Sequence, residues 1–343
     1  MRIDKLLRER IASDPRAFGL FKPVTADDIH IILRTSPVQS ATGRIHCEVY
    51  VGSGPYPAII AQVVPLAGIG STVDRSPYYP QGTDVASQLV NVLPSPAGEI
   101  TDGRRRLYWA RYVPWPSLQD NFHDLIPYVK LMSRLRQPPW NRAAEGFCET
   151  QKSDDLLAEY VSMAHCVCSL WDELRPYESD LTASLQQCWR QLKLGFSHGD
   201  LWCQDVLYSA SGQLCILDWE WSAAARPMGT DLFHFSLSTI SIYYRIPFSE
   251  ALTCLTWGEG EIERLSRQQL CLLWDELCYD AEIRYLSVLT YLIYIEHRIT
   301  LQSVRSLPYG YDGTAPSLAA AMASPTYLTR LVGGKNALAK GLG

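Results

Sequence analysis

The sequence lacks any apolar segment long enough to cross a membrane. Its longest apolar stretch, 285–295, is shorter than the roughly 20 residues that a transmembrane helix needs, and it is bounded by Arg284 and Glu296. The first residues, 1–14, are charged throughout and contain no apolar centre of a secretory signal peptide. We therefore expect a cytoplasmic protein that does not associate with membranes.

The chain also lacks an excess of positive charge. It contains 31 lysines and arginines against 36 acidic residues, which gives a formal net charge of -5. A nucleic-acid-binding protein needs a basic footprint, and the basic run at 104–106 is more typical of a solvated hairpin tip. The sequence therefore predicts no nucleic-acid partner.

The ten cysteines lack a repeated spacing. Cys47 and Cys215 lie in apolar stretches, where cysteine is typically a small buried side chain of a protein in a reducing compartment. The nearest approach to a metal-binding cluster is the segment 165–168, His-Cys-Val-Cys, which has no second pair at a zinc-like spacing. Neither a disulfide framework nor a structural zinc site is expected.

The order of hydrophobic patterns indicates an α+β chain of 343 residues. Alternating or β-branched runs predict antiparallel strands at 29–33, 45–51, 58–64 and 107–113. After the proline-rich segment 114–116 the spacing becomes helical, and the tail from about 303 is expected to be mostly loop. We predict a β-rich N-terminal lobe over 1–113 and a larger helical lobe over 114–343.

Three aspartates follow one another closely in the second half of the chain. Asp200 lies in a loop after a helical segment, Asp205 precedes a short strand, and a tight turn returns the chain to Asp218 after a second strand. Because a hairpin brings its two ends together, we expect these carboxylates to converge. Carboxylates suit Mg²⁺, a hard cation that prefers oxygen ligands and bridges phosphates.

The motifs around these aspartates resemble the aminoglycoside phosphotransferase and choline kinase family, the small-molecule branch of the protein-kinase-like fold. The family pattern is H-G-D-x-x-x-x-N, a hydrophobic strand, D-[WFY]-E and then D-L. Here His198-Gly199-Asp200 is followed by Asp218-Trp219-Glu220 and by Asp231-Leu232. Three linked matches in order are more specific than one triplet. The resemblance extends over about 25–300 and is strongest at 196–232.

The resemblance implies roles for the residues of the loop at 197–202, which we call the catalytic loop. Asp200 would be the catalytic base or the carboxylate that orients the acceptor hydroxyl. His198 would hold the loop through hydrogen bonds, and Asp231 would buttress it. Glu220 is either a supporting residue or an exposed turn residue.

The resemblance also implies a magnesium site. Asp218 would be the principal Mg²⁺ ligand, in the position of the family's metal-binding aspartate. Asp205 stands where the family has a metal-binding asparagine, and an aspartate can also ligate Mg²⁺. Asp205 as the cap of a strand remains an alternative.

A departure from the family concerns the lysine that contacts the nucleotide. Its strand position falls at or near Gln62, and no lysine occurs between Lys22 and Lys130. A glutamine can form a hydrogen bond with a phosphate but supplies no charge.

Other residues of the expected nucleotide site lie nearby in the sequence. Arg44 could supply the missing charge, and Ser40 and Thr42 could donate hydroxyl groups from a candidate phosphate loop. Tyr112 ends the strand that, by resemblance, leads into the hinge where an adenine docks on the backbone. An exposed arginine at the end of a strand remains the alternative for Arg44.

These observations predict a phosphotransferase that moves the γ-phosphoryl group of ATP or GTP to a hydroxyl of a small molecule, with Mg²⁺ as cofactor. The acceptor would be aminoglycoside-, sugar- or choline-like. The acidic and aromatic residues of 249–298 would suit a cationic acceptor such as an aminoglycoside or a choline-like amine, although a solvated helix surface explains them as well. The alternative is a pseudokinase-like binding or scaffold protein that has lost the nucleotide lysine.

Overall fold

The structure, a computed structural model, confirms the predicted α+β class. It describes residues 3–34, 45–65, 89, 92–101, 105–122, 124–140, 150–302 and 315–332. Ser40, Thr42 and Arg44, the residues of the candidate phosphate loop, lie outside the described residues. The sequence pattern also predicts a helix at 84–93, and most of that segment lies outside them as well. No helix in the described part of the chain is long and apolar enough to span a bilayer.

The chain divides into two compact units. The first unit comprises Met1–Ser117 and Asp205–Ser222, and the second comprises Leu118–Gln204 and Ala223–Gly343. The domain boundaries 1–113 and 114–343 remain a prediction. They assign 205–222 to the second domain, whereas the compact units group this segment with the first.

The first unit is built on a five-stranded antiparallel sheet with the order β1-β2-β3-β5-β4. Its elements are α1 (Ile3–Ser13), β1 (Ile29–Arg34), β2 (Ile45–Val51), β3 (Ile59–Pro65), β4 (Ala97–Thr101) and β5 (Arg105–Arg111). The predicted strands agree with the structure to within two residues at each end. Strand β4 was not predicted, because its sequence, AGEIT, has little β-propensity. The segment forms a strand by pairing with β5.

Alternation along these strands produces the core of the first unit. Cys47 and Val49 on β2 point to the same face as Ala61 on β3, and all three are buried. Leu7 and Ile11, one turn apart on α1, pack in the same hydrophobic cluster. The helix therefore covers one face of the sheet and leaves the alternate residues, which include Gln62, on the other.

A glycine allows β4 to pack against β5. Gly98 pairs with Trp109, and a Cβ atom at residue 98 would lie 2.9 Å from the indole ring. This close approach leaves no space for a side chain. The strand therefore depends on glycine at this position.

A two-stranded hairpin completes the first unit. It consists of β7 (Val206–Tyr208) and β8 (Leu214–Ile216), as the sequence predicted. The Ser117 backbone forms an isolated bridge with Leu207, and Ile216 N–H donates to the Val92 carbonyl at 2.7 Å. These bonds attach the hairpin to the other residues of the first unit.

The second unit is mainly helical. Its helices are α2 (Ile126–Leu135), α3 (Thr150–Leu170), α4 (Glu178–Cys188), α5 (Thr230–Tyr244), α6 (Phe248–Trp257), α7 (Glu261–Glu276), α8 (Ala281–Gln302), α9 (Ala315–Ala323) and α10 (Thr329–Val332). Strands β6 (Leu194–Ser197) and β9 (Ala223–Pro227) pair antiparallel.

Two of these helices differ from the sequence expectations. Helix α5 is buried on all sides over most of its length, so its sequence shows no amphipathic period by which to predict it. The tail beyond 303, expected to be mostly loop, contains α9, in which Ala315, Leu318 and Ala321 are buried. That expectation was wrong for 315–323, because tertiary packing stabilises a helix of small residues.

Candidate active site

The backbone of the catalytic loop is held by one buried carboxylate. Asp231, in the first turn of α5, accepts hydrogen bonds from the Ser197 hydroxyl at 2.8 Å, the His198 N–H at 2.6 Å and the Gly199 N–H at 2.8 Å. The residue is 4% exposed. An ionised acceptor forms stronger hydrogen bonds than a neutral one, so Asp231 fixes the conformation of the loop.

The loop turns at Gly199, which has a φ of +86°. This left-handed conformation is accessible to glycine at little cost, whereas a Cβ atom disfavours it. The turn directs the two N–H groups of His198 and Gly199 toward Asp231 and lets the chain continue to Asp200. The glycine of the H-G-D triplet is therefore required by the backbone geometry.

The Asp200 side chain is surrounded by donors and is only 12% exposed. Its Oδ1 atom accepts a hydrogen bond from Trp202 Nε1 at 2.7 Å and lies 3.2 Å from His234 Nε2. Its Oδ2 atom forms an ion pair with the Arg298 guanidinium. Both carboxylate oxygens therefore have polar partners within the second unit.

Burial by itself would raise the pKa of Asp200, but its charged neighbours reverse the direction. The Arg298 guanidinium, together with the adjacent His234, holds the pKa of Asp200 well below its usual range. The carboxylate is thus ionised at neutral pH and is a weak base. Such a carboxylate can accept a hydrogen bond from a hydroxyl group.

The two histidines near the loop have different partners. His198 is fully buried, and its Nδ1 atom faces the Asp200 N–H at 3.4 Å. This contact agrees with the predicted role of His198 in holding the loop. His234 is also buried, and its Nδ1 atom lies 2.9 Å from the Tyr291 hydroxyl.

Side chains on one face of α8 contact the catalytic loop or the residues that surround it. Tyr291, Tyr294 and Arg298 follow the i, i+3, i+7 spacing that places side chains on one helix face. The Tyr294 hydroxyl donates to the Gly199 carbonyl at 3.0 Å, and Arg298 Nη1 donates to the same oxygen at 3.1 Å. The loop is therefore fixed through its N–H groups by α5 and through a carbonyl by α8.

The sequence reasoning missed Trp202, His234 and Arg298 as members of this site. Arg298 is separated from Asp200 by 98 positions, so no local pattern connects them. The available signals were the indole two residues after Asp200 and the helical spacing of Asp231 with His234 and of Tyr294 with Arg298.

The two candidate metal ligands lie on the β7–β8 hairpin of the first unit. The Leu217 N–H donates to the Asp205 carbonyl at 2.8 Å, which extends the ladder by one pair and places Asp205 opposite residue 217. Asp218 follows immediately with a left-handed φ of 61°. Such a conformation is strained for a residue other than glycine, although aspartate tolerates it better than most.

Buried contacts hold the end of this hairpin. Trp219 is fully buried, and its Nε1 atom donates to the Ile216 carbonyl at 2.8 Å. Glu220 lies in the short turn Trp219–Trp221, and its side chain is outside the described residues. The structure thus explains the tryptophan of the D-W-E motif as an anchor that positions the backbone after Asp218.

The two aspartates form a small candidate ligand set. In the parts of the chain that the structure describes, no group of three or more His, Cys, Asp or Glu side chains could hold a metal ion. Asp205 and Asp218 belong to the first unit and Asp200 to the second. The convergence of all three carboxylates therefore stays a prediction.

Gln62 lies on the face of the first-unit sheet opposite to the one that α1 covers. It pairs with His46 on β2 and with Tyr108 on β5, and it is 4% exposed. Its Nε2 atom lies 3.2 Å from His46 Nε2, whereas its buried Oε1 atom has no hydrogen-bond partner among the described residues. A buried polar atom without a partner is rare and typical of a position that a ligand or water completes.

Tyr112, the other described residue of the expected nucleotide site, follows β5 directly. Its N–H donates to the Ala58 carbonyl at 3.0 Å, and its ring stacks on Tyr56 with 6.3 Å between centroids. This N–H group is therefore engaged within the first unit. The expectation that Tyr112 contributes to nucleotide binding stays a prediction.

Comparison with known proteins finds similarity in structure alone. No protein-family model and no curated protein matches the chain. Similar solved structures include an ethanolamine kinase of Plasmodium vivax, at 11% identity and a TM-score of 0.48, over 89% of this chain and 84% of that one.

Two further solved structures are phosphotransferases. A spectinomycin phosphotransferase in complex with ADP and spectinomycin is similar over 93% of this chain and 98% of its own, at 10% identity and a TM-score of 0.48. An aminoglycoside phosphotransferase of Alicyclobacillus acidocaldarius is similar over 89% of this chain and 92% of its own, at 14% identity and a TM-score of 0.44.

Proposed function

We propose that the protein is a phosphotransferase that moves the γ-phosphoryl group of ATP or GTP to a hydroxyl of a small molecule. The observation that carries this proposal is the clamp of Asp231 on the catalytic loop, with three hydrogen bonds to 197–199. Such a clamp is needed where the next residue, Asp200, must keep a fixed position. It supports the roles of all three residues of the H-G-D triplet.

The environment of Asp200 fits phosphoryl transfer better than proton abstraction. The transition state of this reaction is loose, so catalysis depends mainly on position and electrostatics. An ionised, immobile carboxylate can accept a hydrogen bond from the acceptor hydroxyl and direct its oxygen toward the phosphorus. A strong base is not required of Asp200.

The hairpin of the first unit supplies the oxygen donors that Mg²⁺ requires. Asp218 and Asp205 would hold the ion, and two protein carboxylates fit Mg²⁺, which typically takes one or two together with substrate phosphates and water. The bound ion would neutralise the negative charge of the phosphates. The strained backbone of Asp218 supports a functional role for this residue.

The structure favours a neutral, sugar-like acceptor over a cationic one. Trp257 and Trp274, the largest aromatic residues of 249–298, each lie about 6 Å from one of the chain's own guanidinium groups, those of Arg330 and Arg284. These arginines also pair with acidic residues of the same region. These two tryptophans and two of the acidic side chains, those of Glu259 and Asp275, are therefore already engaged with the chain's own arginines.

A second candidate function, that of a pseudokinase-like scaffold, is favoured by Gln62. A buried amide in place of the nucleotide lysine brings no positive charge to a phosphate. In this alternative the loop and the hairpin would be kept for structure and partner binding. The two functions differ in whether the protein turns over a nucleotide.

The deciding experiment combines calorimetry with a turnover assay. ATP and GTP are titrated into the protein with Mg²⁺ and with a chelator, and phosphate transfer to a panel of neutral and cationic hydroxyl compounds is measured. We expect Mg²⁺-dependent binding, and Asp200→Asn should lower turnover by about 10²–10⁴-fold while nucleotide affinity is retained.

Asp172→Asn is the matched control, since Asp172 is an exposed carboxylate outside the loop. Full turnover by a folded Asp200→Asn protein would remove Asp200 from catalysis. Absence of nucleotide binding under every condition would favour the scaffold.

A further inference from the structure

We propose that Arg298 is the positioning residue that orients the Asp200 carboxylate and balances its charge during phosphoryl transfer. This assignment deepens the proposed function and rests on it. Neither the sequence motifs nor their order points to Arg298, which lies on α8, far from the catalytic loop in the chain.

The geometry assigns two tasks to one guanidinium group. Arg298 Nη1 donates to the Gly199 carbonyl at 3.1 Å, and Nη2 contacts Asp200 Oδ2. A planar guanidinium holds its donors in a fixed fork, so these two bonds set the carboxylate relative to the loop backbone. A lysine has a single charged atom and cannot reproduce both bonds with the same geometry.

Arg298 is also the permanent positive charge at Asp200. Among the described residues, the cationic side chains within ion-pair distance of this carboxylate are those of Arg298 and His234. Histidine is charged only when protonated, whereas arginine is charged at every relevant pH. Arg298 therefore supplies the positive charge at Asp200 that does not depend on pH.

The other titratable groups around Asp200 in the second unit do not replace this charge. From α8 they are the hydroxyls of Tyr291 and Tyr294, and from α5 they are His234 and the acidic Asp231. Arg226, on β9, contacts the Ser197 hydroxyl and the Tyr294 ring, and His198, in the loop itself, contacts the Asp200 backbone. Without Arg298, fewer groups would oppose the effect of burial, and the pKa of Asp200 would rise.

This reasoning predicts a change that can be measured as a pH profile. An adjacent arginine lowers the pKa of an aspartate by about 1–3 units, so Arg298→Met should raise the pKa of Asp200 by at least about one unit. The acid limb of the kcat profile should move to higher pH by the same amount. KM for the nucleotide should change little.

Tyr294→Phe provides the matched control. It removes the other hydrogen bond to the Gly199 carbonyl but no charge. A merely structural role of Arg298 would give both variants the same effect. We expect the acid limb to move in Arg298→Met alone. Arg298→Lys, which keeps the charge, should retain the wild-type limb with a lower kcat.

A second readout does not depend on activity. The lowered pKa of Asp200 in the wild type adds stability above the ordinary pKa of about 3.9, and this stability is lost as pH falls. In Arg298→Met the pKa of Asp200 is higher, so this stabilisation is smaller and is lost at a higher pH. The gap in thermal midpoint between the wild type and Arg298→Met should therefore widen as pH rises through the acidic range and become constant above the pKa of Asp200 in the variant, whereas the gap for Tyr294→Phe should not depend on pH.

The outcomes separate the two proposals. A widening gap without turnover in the wild type would support the charge balance at Asp200 and overturn the kinase function, and with it the catalytic part of this inference. Turnover with an unmoved acid limb and a constant gap in Arg298→Met would overturn the role of Arg298 and leave the kinase function standing. If Arg298→Met fails to fold, the other two variants decide. An unchanged acid limb in Tyr294→Phe together with a shifted acid limb in Arg298→Lys would also overturn the role of Arg298.

Discussion

Replacing Asp231 by asparagine tests the clamp on the catalytic loop with the smallest change of shape. The carboxylate accepts three hydrogen bonds, two through Oδ1 from Ser197 and Gly199 and one through Oδ2 from His198. Asparagine keeps one oxygen and replaces the other by an NH₂ group. Whichever way the amide turns, at least one buried donor then faces another donor.

The magnitude follows from these three bonds. A buried N–H group that loses its acceptor costs about 1–3 kcal/mol. The two remaining bonds lose the assistance of the charge, which roughly halves their strength and costs about 0.5–1 kcal/mol each. Together these changes should weaken the closed loop by about 2–5 kcal/mol.

Amide hydrogen exchange is the appropriate assay, because it reports on the loop directly. A loss of about 2 kcal/mol or more corresponds to exchange at least about 30-fold faster at the N–H groups of His198 and Gly199. Turnover should fall as well, since Asp200 would lose its fixed position. Amides in the sheet of the first unit should exchange at the wild-type rate.

The control is Asp172→Asn, which removes a carboxylate that is 87% exposed and paired with Arg175. Exposed pairs contribute little to stability, so this variant should behave like the wild type. If Asp231→Asn left the exchange of His198 and Gly199 unchanged, the clamp would not determine the loop conformation. The reasoning from hydrogen bonds to function would then be refuted.

Three further predictions address the first unit. Asp218→Asn should weaken Mg²⁺-nucleotide binding, whereas Asp205→Asn, which restores the family residue, should be tolerated. Calorimetric titration of the nucleotide with Mg²⁺ and with a chelator measures both effects. Equal nucleotide affinities with and without metal would contradict a metal site built on these aspartates. Gln62→Lys should tighten nucleotide binding about fivefold, since a charged donor adds about 1 kcal/mol over a neutral one. Gln62→Met, the control, should not tighten it. If the lysine variant bound the nucleotide no more tightly than the wild type, residue 62 would not belong to the nucleotide site. Burial raises the pKa of the Cys47 thiol to about 12. At about pH 8, Cys47 should therefore resist alkylation in the folded protein, while the exposed Cys278 reacts. Mass spectrometry measures the alkylation of each cysteine, and rapid alkylation of both would argue against the packed sheet.

The sequence by itself determined four of the five strands of the first-unit sheet, the β7–β8 hairpin and much of the catalytic loop. Strands such as 45–51 were predictable because alternation with a period of two reports directly on a half-buried strand. The H-G-D triplet was interpretable because each residue has a local task, such as the left-handed turn at Gly199. The pairing of Asp231 with this triplet was implied by the resemblance to a known family.

Only the tertiary structure decided how the Asp200 carboxylate is used. Arg298 and His234 come to it from two helices, and the sheet places β5 between β3 and β4, against the order of the chain. Such neighbours are chosen by the packing of buried faces, which is satisfied only when the whole unit is folded. A local sequence pattern fixes which residues share a face of a helix or strand, whereas the partner of that face, and the charge it brings, is set by contacts between distant segments.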